Sequence, residues 1–140
     1  MTGKTIGILL IVVTIFTNNY MEDKGRFFTK EKYENELNQL VNNDVLERIK
    51  NDPEITSDEM TFSFYFITDK KAKIESLIDY LKKIELSQNT FVVNKIKEDW
   101  ELKGKTYPIK LEIDSINKWE REMWDIGYHF DCELDGWETT

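Results

Sequence analysis

The sequence predicts an α+β domain, with one antiparallel sheet carrying two helices on a single face. Three observations predict it. Residues 60–68, MTFSFYFIT, alternate with period two and are rich in aromatics, the pattern of a half-buried strand. Three other stretches place apolar residues three and four apart, the pattern of one helix face. The elements follow one another as helix, then β-α-β-β-α-β, which is the ferredoxin-like split βαβ order. A hydrophobic segment precedes them.

The first helix is expected over residues 30–50. Thr29 offers an N-cap, and Tyr33, Leu37, Leu40 and Val41 continue to Val45, Leu46 and Ile49 on one stripe. Asn42-Asn43-Asp44 can divide it in two, and Pro53 closes it because proline restricts the residue before it. In the strand that follows, Met60, Phe62, Phe64 and Phe66 share one face, while Thr61, Ser63, Tyr65 and Ile67 share the other. Thr68 or Asp69 then caps a helix to about Ile84, with Ile74, Leu77, Ile78 and Leu81 on its apolar stripe.

A second strand is expected over residues 91–96, then a polar turn at Lys103-Gly104-Lys105. A third strand is expected over residues 107–113, where Tyr107, Ile109, Leu111 and Ile113 alternate with polar residues; Pro108 lacks an N–H and points to an edge or a strand start. Asp114 or Ser115 caps the last helix, Ile116, Trp119 and Met123 line its face, and Gly127 reads as its C-terminal stop. Residues 128–134 read as the last strand, with Tyr128, Phe130, Cys132 and Leu134 toward the core. His129 and Asp131 then face the open side of the sheet. Asp135-Gly136 suits a turn with positive φ, and beyond it Trp137 either plugs the core edge or stands as a binding anchor.

Composition narrows the function classes. The 140 residues are 40% hydrophobic and 13% aromatic, enough for a folded core and unlike a disordered chain. The net charge of −8 opposes nucleic-acid binding, which needs clustered Lys or Arg. It suits either solubility or a basic protein partner. The Phe62, Phe64, Phe66 series sits on the more apolar face, so core packing outweighs a base-stacking platform. One cysteine, Cys132, and one histidine, His129, exclude an internal disulfide and are thin material for a zinc site or a triad. Cys132 is expected to be an inert buried thiol. Asp131, Glu133, Asp135 and Glu138 form an acidic cluster without calcium-loop spacing, read as solvated charges or as contacts for a basic partner. No Gly-rich phosphate loop, Cys-x-x-Cys, His-Glu-x-x-His or Gly-x-Ser-x-Gly occurs. No catalytic residue, cofactor or metal is therefore expected. The candidate protein-binding residues are Tyr65, His129, Asp131, Glu133, Asp135 and Trp137.

The start of the chain stands apart. Residues 6–16, IGILLIVVTIF, carry no charge, and as a helix they would span about 16 Å, roughly half a hydrocarbon core. They read as an uncleaved tether (residues 5–20), as a signal-peptide apolar region without a small-x-small cleavage site, as an over-extended start ahead of Met21, or as a buried strand. Charges on the two sides give no orientation. The expected organisation is residues 1–20 as this segment, 21–44 as a helical extension and 45–140 as the domain. The domain is expected in the cytoplasm, at the membrane if residues 5–20 tether it, and in the periplasm or outside the cell if residues 1–20 are a signal peptide.

Three stretches resemble a known family, the regulators of ribonuclease E activity B. They are residues 45–66, VLERIKNDPEITSDEMTFSFYF; the helix after Asp69 with its two following strands; and residues 133–139, ELDGWET, similar to the family's terminal D-G-W-[GE]-T signature. Together they cover about two thirds of the chain, and the terminal signature is the specific part. The resemblance implies a ferredoxin-like fold. It also implies a non-catalytic protein that binds the endoribonuclease opening much bacterial mRNA decay and lowers its activity by contact. An immunity-type or membrane-tethered adaptor with another partner is the alternative. A small hydrolase using His129 with Asp131 or Glu133 is the least supported class, since no nucleophile or metal set accompanies them.

Overall fold

The computed structural model describes residues 25–39 and 43–139. Helix α1 covers Lys30–Asn35, and a 3-10 turn Glu36–Gln39 follows it. Helix α2 covers Asn43–Lys50, β1 Glu59–Met60, β2 Phe62–Thr68 and α3 Lys71–Ile84. Then come β3 Val92–Ile96, β4 Asp99–Lys105, β5 Ile109–Lys110, α4 Ile113–Phe130 and β6 Glu133–Thr139. The main sheet runs in the order β3-β4-β2-β6 with every neighbouring pair antiparallel, and β1 and β5 form a separate short ladder.

Strand β2 is the centre because its alternation is so strongly apolar on one side. Phe62, Phe64 and Phe66 are each 0% exposed. Fully burying a side chain of that size contributes about 1.5–3 kcal/mol. Phe64, Phe66 and Leu102 meet Ile74, Leu77 and Leu81 of α3 and Trp119, Met123 and Trp124 of α4. Both long helices therefore lie on the face the phenylalanines present. A smaller cluster of Phe62, Leu46, Leu111 and Ile116 joins α2 to the base of α4.

Two expectations about the middle of the chain are corrected. Lys103-Gly104-Lys105 is not a turn; it ends β4, and the turn is Lys97-Glu98, with Lys97 at φ 55° between paired Ile96 and Asp99. Gly104 faces the core, where an added Cβ would stand 2.3 Å from Cζ of Phe64. Its bare backbone serves close packing on a ring rather than chain reversal. Residues 107–113 do not supply the third strand of the main sheet, since β4 holds that place. Only Ile109 and Lys110 pair, with β1.

The last helix and strand are also displaced. Gly127 does not stop α4, which runs to Phe130. A Cβ there would lie 2.3 Å from the Cys132 carbonyl oxygen and 2.8 Å from Phe66 Cε1, so this glycine lets the helix press against β2. Residues 128–130 are consequently helical, and the strand is β6. Helix caps differ as well: Lys70 and Glu112 occupy the N-cap positions of α3 and α4 without side-chain capping bonds. Thr29 caps α1 as expected, its hydroxyl accepting from the Lys32 amide at 3.3 Å. Among the described residues no helix is long and apolar enough to cross a membrane. The segment 1–20 lies outside them.

Candidate functional site

Two constructions meet around α4 and β6. The first is a strap formed by residues 26–37. Phe28 is fully buried in the main core, edge-on to Trp124 at 4.7 Å and to Tyr128 at 5.4 Å between ring centroids. Tyr33 stacks on Tyr128 at 4.2 Å. Its carbonyl accepts from the Trp124 indole at 3.0 Å, and its hydroxyl donates to Asp125 at 2.7 Å. Burial and that hydrogen bond push the Tyr33 hydroxyl up to about 12.

Asp131 fastens the strap. Its backbone ends α4 in a left-handed conformation, φ 58°. The Cys132 amide donates to the Gly127 carbonyl, and the Asp131 amide to that of Tyr128. These two bonds close a Schellman turn at a position usually held by glycine. The carboxylate accepts from the amides of Phe27 at 3.0 Å and Phe28 at 2.7 Å. It pairs with Lys73 at 2.5 Å and lies 3.7 Å from Arg26. Arg26 in turn donates to the Tyr128 carbonyl and covers that ring at 4.2 Å. Burial works against the Lys73 ammonium, yet hydrogen bonds to Asp131 and Asp69 hold its pKa above the usual range.

The second construction is a cleft of about 390 Å³ between the strap, α4 and β6. Its polar rim is Glu36, Glu120, Glu133 and Asp135, with Leu37, Trp124, Leu134 and Trp137 as apolar walls. None of its described lining residues is cationic. A bulge shapes the β6 side. Tyr65 pairs with Gly136 and Phe66 with Leu134, so Asp135 is an extra residue in β6. Leu134 and Trp137 can therefore both face the core although they are three positions apart. The Trp137 ring lies 5.0 Å from Phe62 and 6.0 Å from Trp119, and its indole donates to Glu120 at 2.5 Å. Burial raises the Glu120 carboxyl above its ordinary pKa, and the indole bond offsets only part of that.

Of the six residues singled out in the sequence, this cleft gathers Glu133, Asp135 and Trp137. Glu133 is half-buried and bonded to Lys32 at 3.0 Å; that bond raises the Lys32 pKa. Asp135-Gly136 is a bulge inside a strand, not a terminal turn. Tyr65 lies on the opposite face of the sheet, its hydroxyl donating to Glu138 at 2.6 Å. His129 is exposed in the last turn of α4, not on the sheet. Asp131 is buried and fully engaged, because the helix continues through residues read as alternating. Cys132 is fully buried, and burial pushes its thiol up to about 12. Among the described residues no group of three or more His, Cys, Asp and Glu is placed to hold a metal.

Glu36, Leu37, Glu120 and Trp124 were not identified in the sequence as site residues. Glu120 and Trp124 are four apart on one helix, but both looked like ordinary helix residues until β6 was placed beside them. No curated protein matches the chain, and no solved structure does. A family model described as regulator of ribonuclease activity B matches residues 39–139. With that match spanning well over half its length, the chain belongs to the family of regulators of ribonuclease activity B.

Proposed function

We propose that this protein is a non-catalytic regulator that binds a ribonuclease of the ribonuclease E type by protein contact, docking through the cleft beside β6. The family supports the regulatory role. The observation that carries the docking site is the set of four carboxylates around an apolar wall, with no cation among its described lining residues. Such a surface favours a basic partner and speeds its encounter. Trp137 is the anchor of the site, half-buried and held by Glu120. Tyr65 and His129 are at most peripheral contacts on this reading, and Asp131 supports the site by holding the strap.

We read the architecture as ferredoxin-like, supported by the strand order β3-β4-β2-β6 with α3 and α4 as its crossovers. We also propose that the folded unit includes residues ahead of 45, from Arg26 onward among the described residues, because Phe28 belongs to the core.

The test is cleavage of a model RNA by purified ribonuclease E, with and without the full chain. Micromolar protein slowing cleavage, and Asp135→Lys relieving that inhibition, is the expected result. Unchanged cleavage together with no measurable binding refutes the proposal.

A further inference from the structure

The cleft has an edge strand along one side, which specifies its occupant beyond a generic basic protein; this inference rests on the proposed docking role. Among the described residues β6 pairs only with β2. Its outer side is where a further strand adds to a sheet. The Asp135 bulge interrupts that edge and aims a carboxylate at the cleft mouth.

The walls select the side chain. Glu120 is half-buried, and the Trp137 indole engages one of its carboxylate oxygens, Oε2. An arginine guanidinium is planar: it can stack on an indole and fork its donors onto a carboxylate at the same time. A lysine ammonium, being a hydrated point charge, gains less from the same pair. Glu36 and Asp135 add negative potential at the entrance, whereas Glu133 is already bonded to Lys32.

We propose that the cleft docks an extended, arginine-bearing segment of the partner, laid against the outer edge of β6 with one guanidinium stacked on the Trp137 ring and donating to the Glu120 oxygen that the indole leaves free. The segment is recognised by backbone pairing to either side of the Asp135 bulge and by a single inserted arginine.

The probe is a synthetic peptide of seven residues, the length of β6, alternating arginine with valine, together with its lysine and glutamate counterparts. The full chain is titrated with each by calorimetry, and amide exchange is followed along β6. The arginine peptide should bind, protect amides within Glu133–Thr139, and outbind the lysine peptide. Glu120→Gln, which retains an acceptor for the indole, and the exposed Asp135→Asn should each weaken binding about tenfold, the loss expected for one charge-assisted bond. Asp99→Asn, at the far β3-β4 turn, should leave it unchanged.

Equal binding of the arginine and lysine peptides, protection on β3 instead of β6, or no effect of both cleft variants overturns the inference. A chain that inhibits ribonuclease E but ignores all the peptides overturns it while leaving the proposed function standing. A chain that binds the arginine peptide as described but never alters cleavage refutes the function and leaves the peptide site.

Discussion

Asp131→Gly is the most informative single change, because two effects of opposite sign act at one residue. The backbone there has φ 58°, and glycine adopts that conformation more easily, by about 1 kcal/mol. Against this, glycine removes the acceptor of the Phe27 and Phe28 amides. Hydrogen bonds to a charged group contribute about 1.5–3 kcal/mol each, so the pair amounts to about 3–6 kcal/mol. The expected net loss is about 2–5 kcal/mol, before any contribution from Lys73. That is a large fraction of the stability of a small domain, about 5–15 kcal/mol in total. Urea unfolding of the full chain, followed by tryptophan fluorescence, reads the loss as a lower midpoint. Amide exchange should show the Phe27 and Phe28 N–H groups losing protection first, since the strap opens before the sheet. A variant as stable as the parent, with both amides still protected, would show that the carboxylate does not hold the strap.

The glycines give a matched pair. Gly104→Ala, driving a methyl into the Phe64 ring, should destabilise by about 1–3 kcal/mol, whereas Gly136→Ala meets nothing within 4 Å and should leave the urea midpoint nearly unchanged. Cys132, with its thiol at about 12, should resist alkylation at neutral and mildly alkaline pH and react fully once the chain unfolds. Burial alone would raise the Asp69 carboxyl, yet the Lys73 hydrogen bond leaves it below the ordinary aspartate value of 3.8. Its stabilisation is therefore present above that value and lost as pH falls through the lower, folded one. The Lys73 stabilisation has the opposite sign: present below 10.5, it is lost as pH rises through the raised folded value. Lys73→Met should flatten both limbs of a stability–pH curve measured by urea midpoint.

Periodicity made β2 and α3 legible because burial on one side repeats without interruption in residues 62–68 and 74–81. It failed where two periods fit the same residues. Tyr128, Phe130, Cys132 and Leu134 alternate like a strand, but Trp119, Met123, Trp124 and Gly127 carry a helical stripe into the same stretch. Only packing decides, with Gly127 closing against Cys132 and Phe66. Glycine misled twice for a common reason: local signals read it as a chain breaker, and at Gly104 and Gly127 it is there for contact with distant rings. The acidic character of the terminal segment was visible, and Glu133, Asp135 and Trp137 do line one cleft. Its other walls come from residues up to about a hundred positions away, beyond the reach of local pattern. Asp131 looked solvated because nothing nearby in sequence reveals the amides of Phe27 and Phe28.

The extra residue in β6 also separates two properties that usually change together. Leu134 pairs with Phe66 and Trp137 with Phe64, two steps on β2 but three on β6. Deleting Asp135 would restore equal spacing on both strands and keep the same two side chains in the interior. The extra position is therefore not needed to place the interior side chains, and the residue that fills it stands at the mouth of the cleft. Substitution at this one position can thus change what the cleft mouth presents to a partner while Leu134 and Trp137 keep their places in the interior.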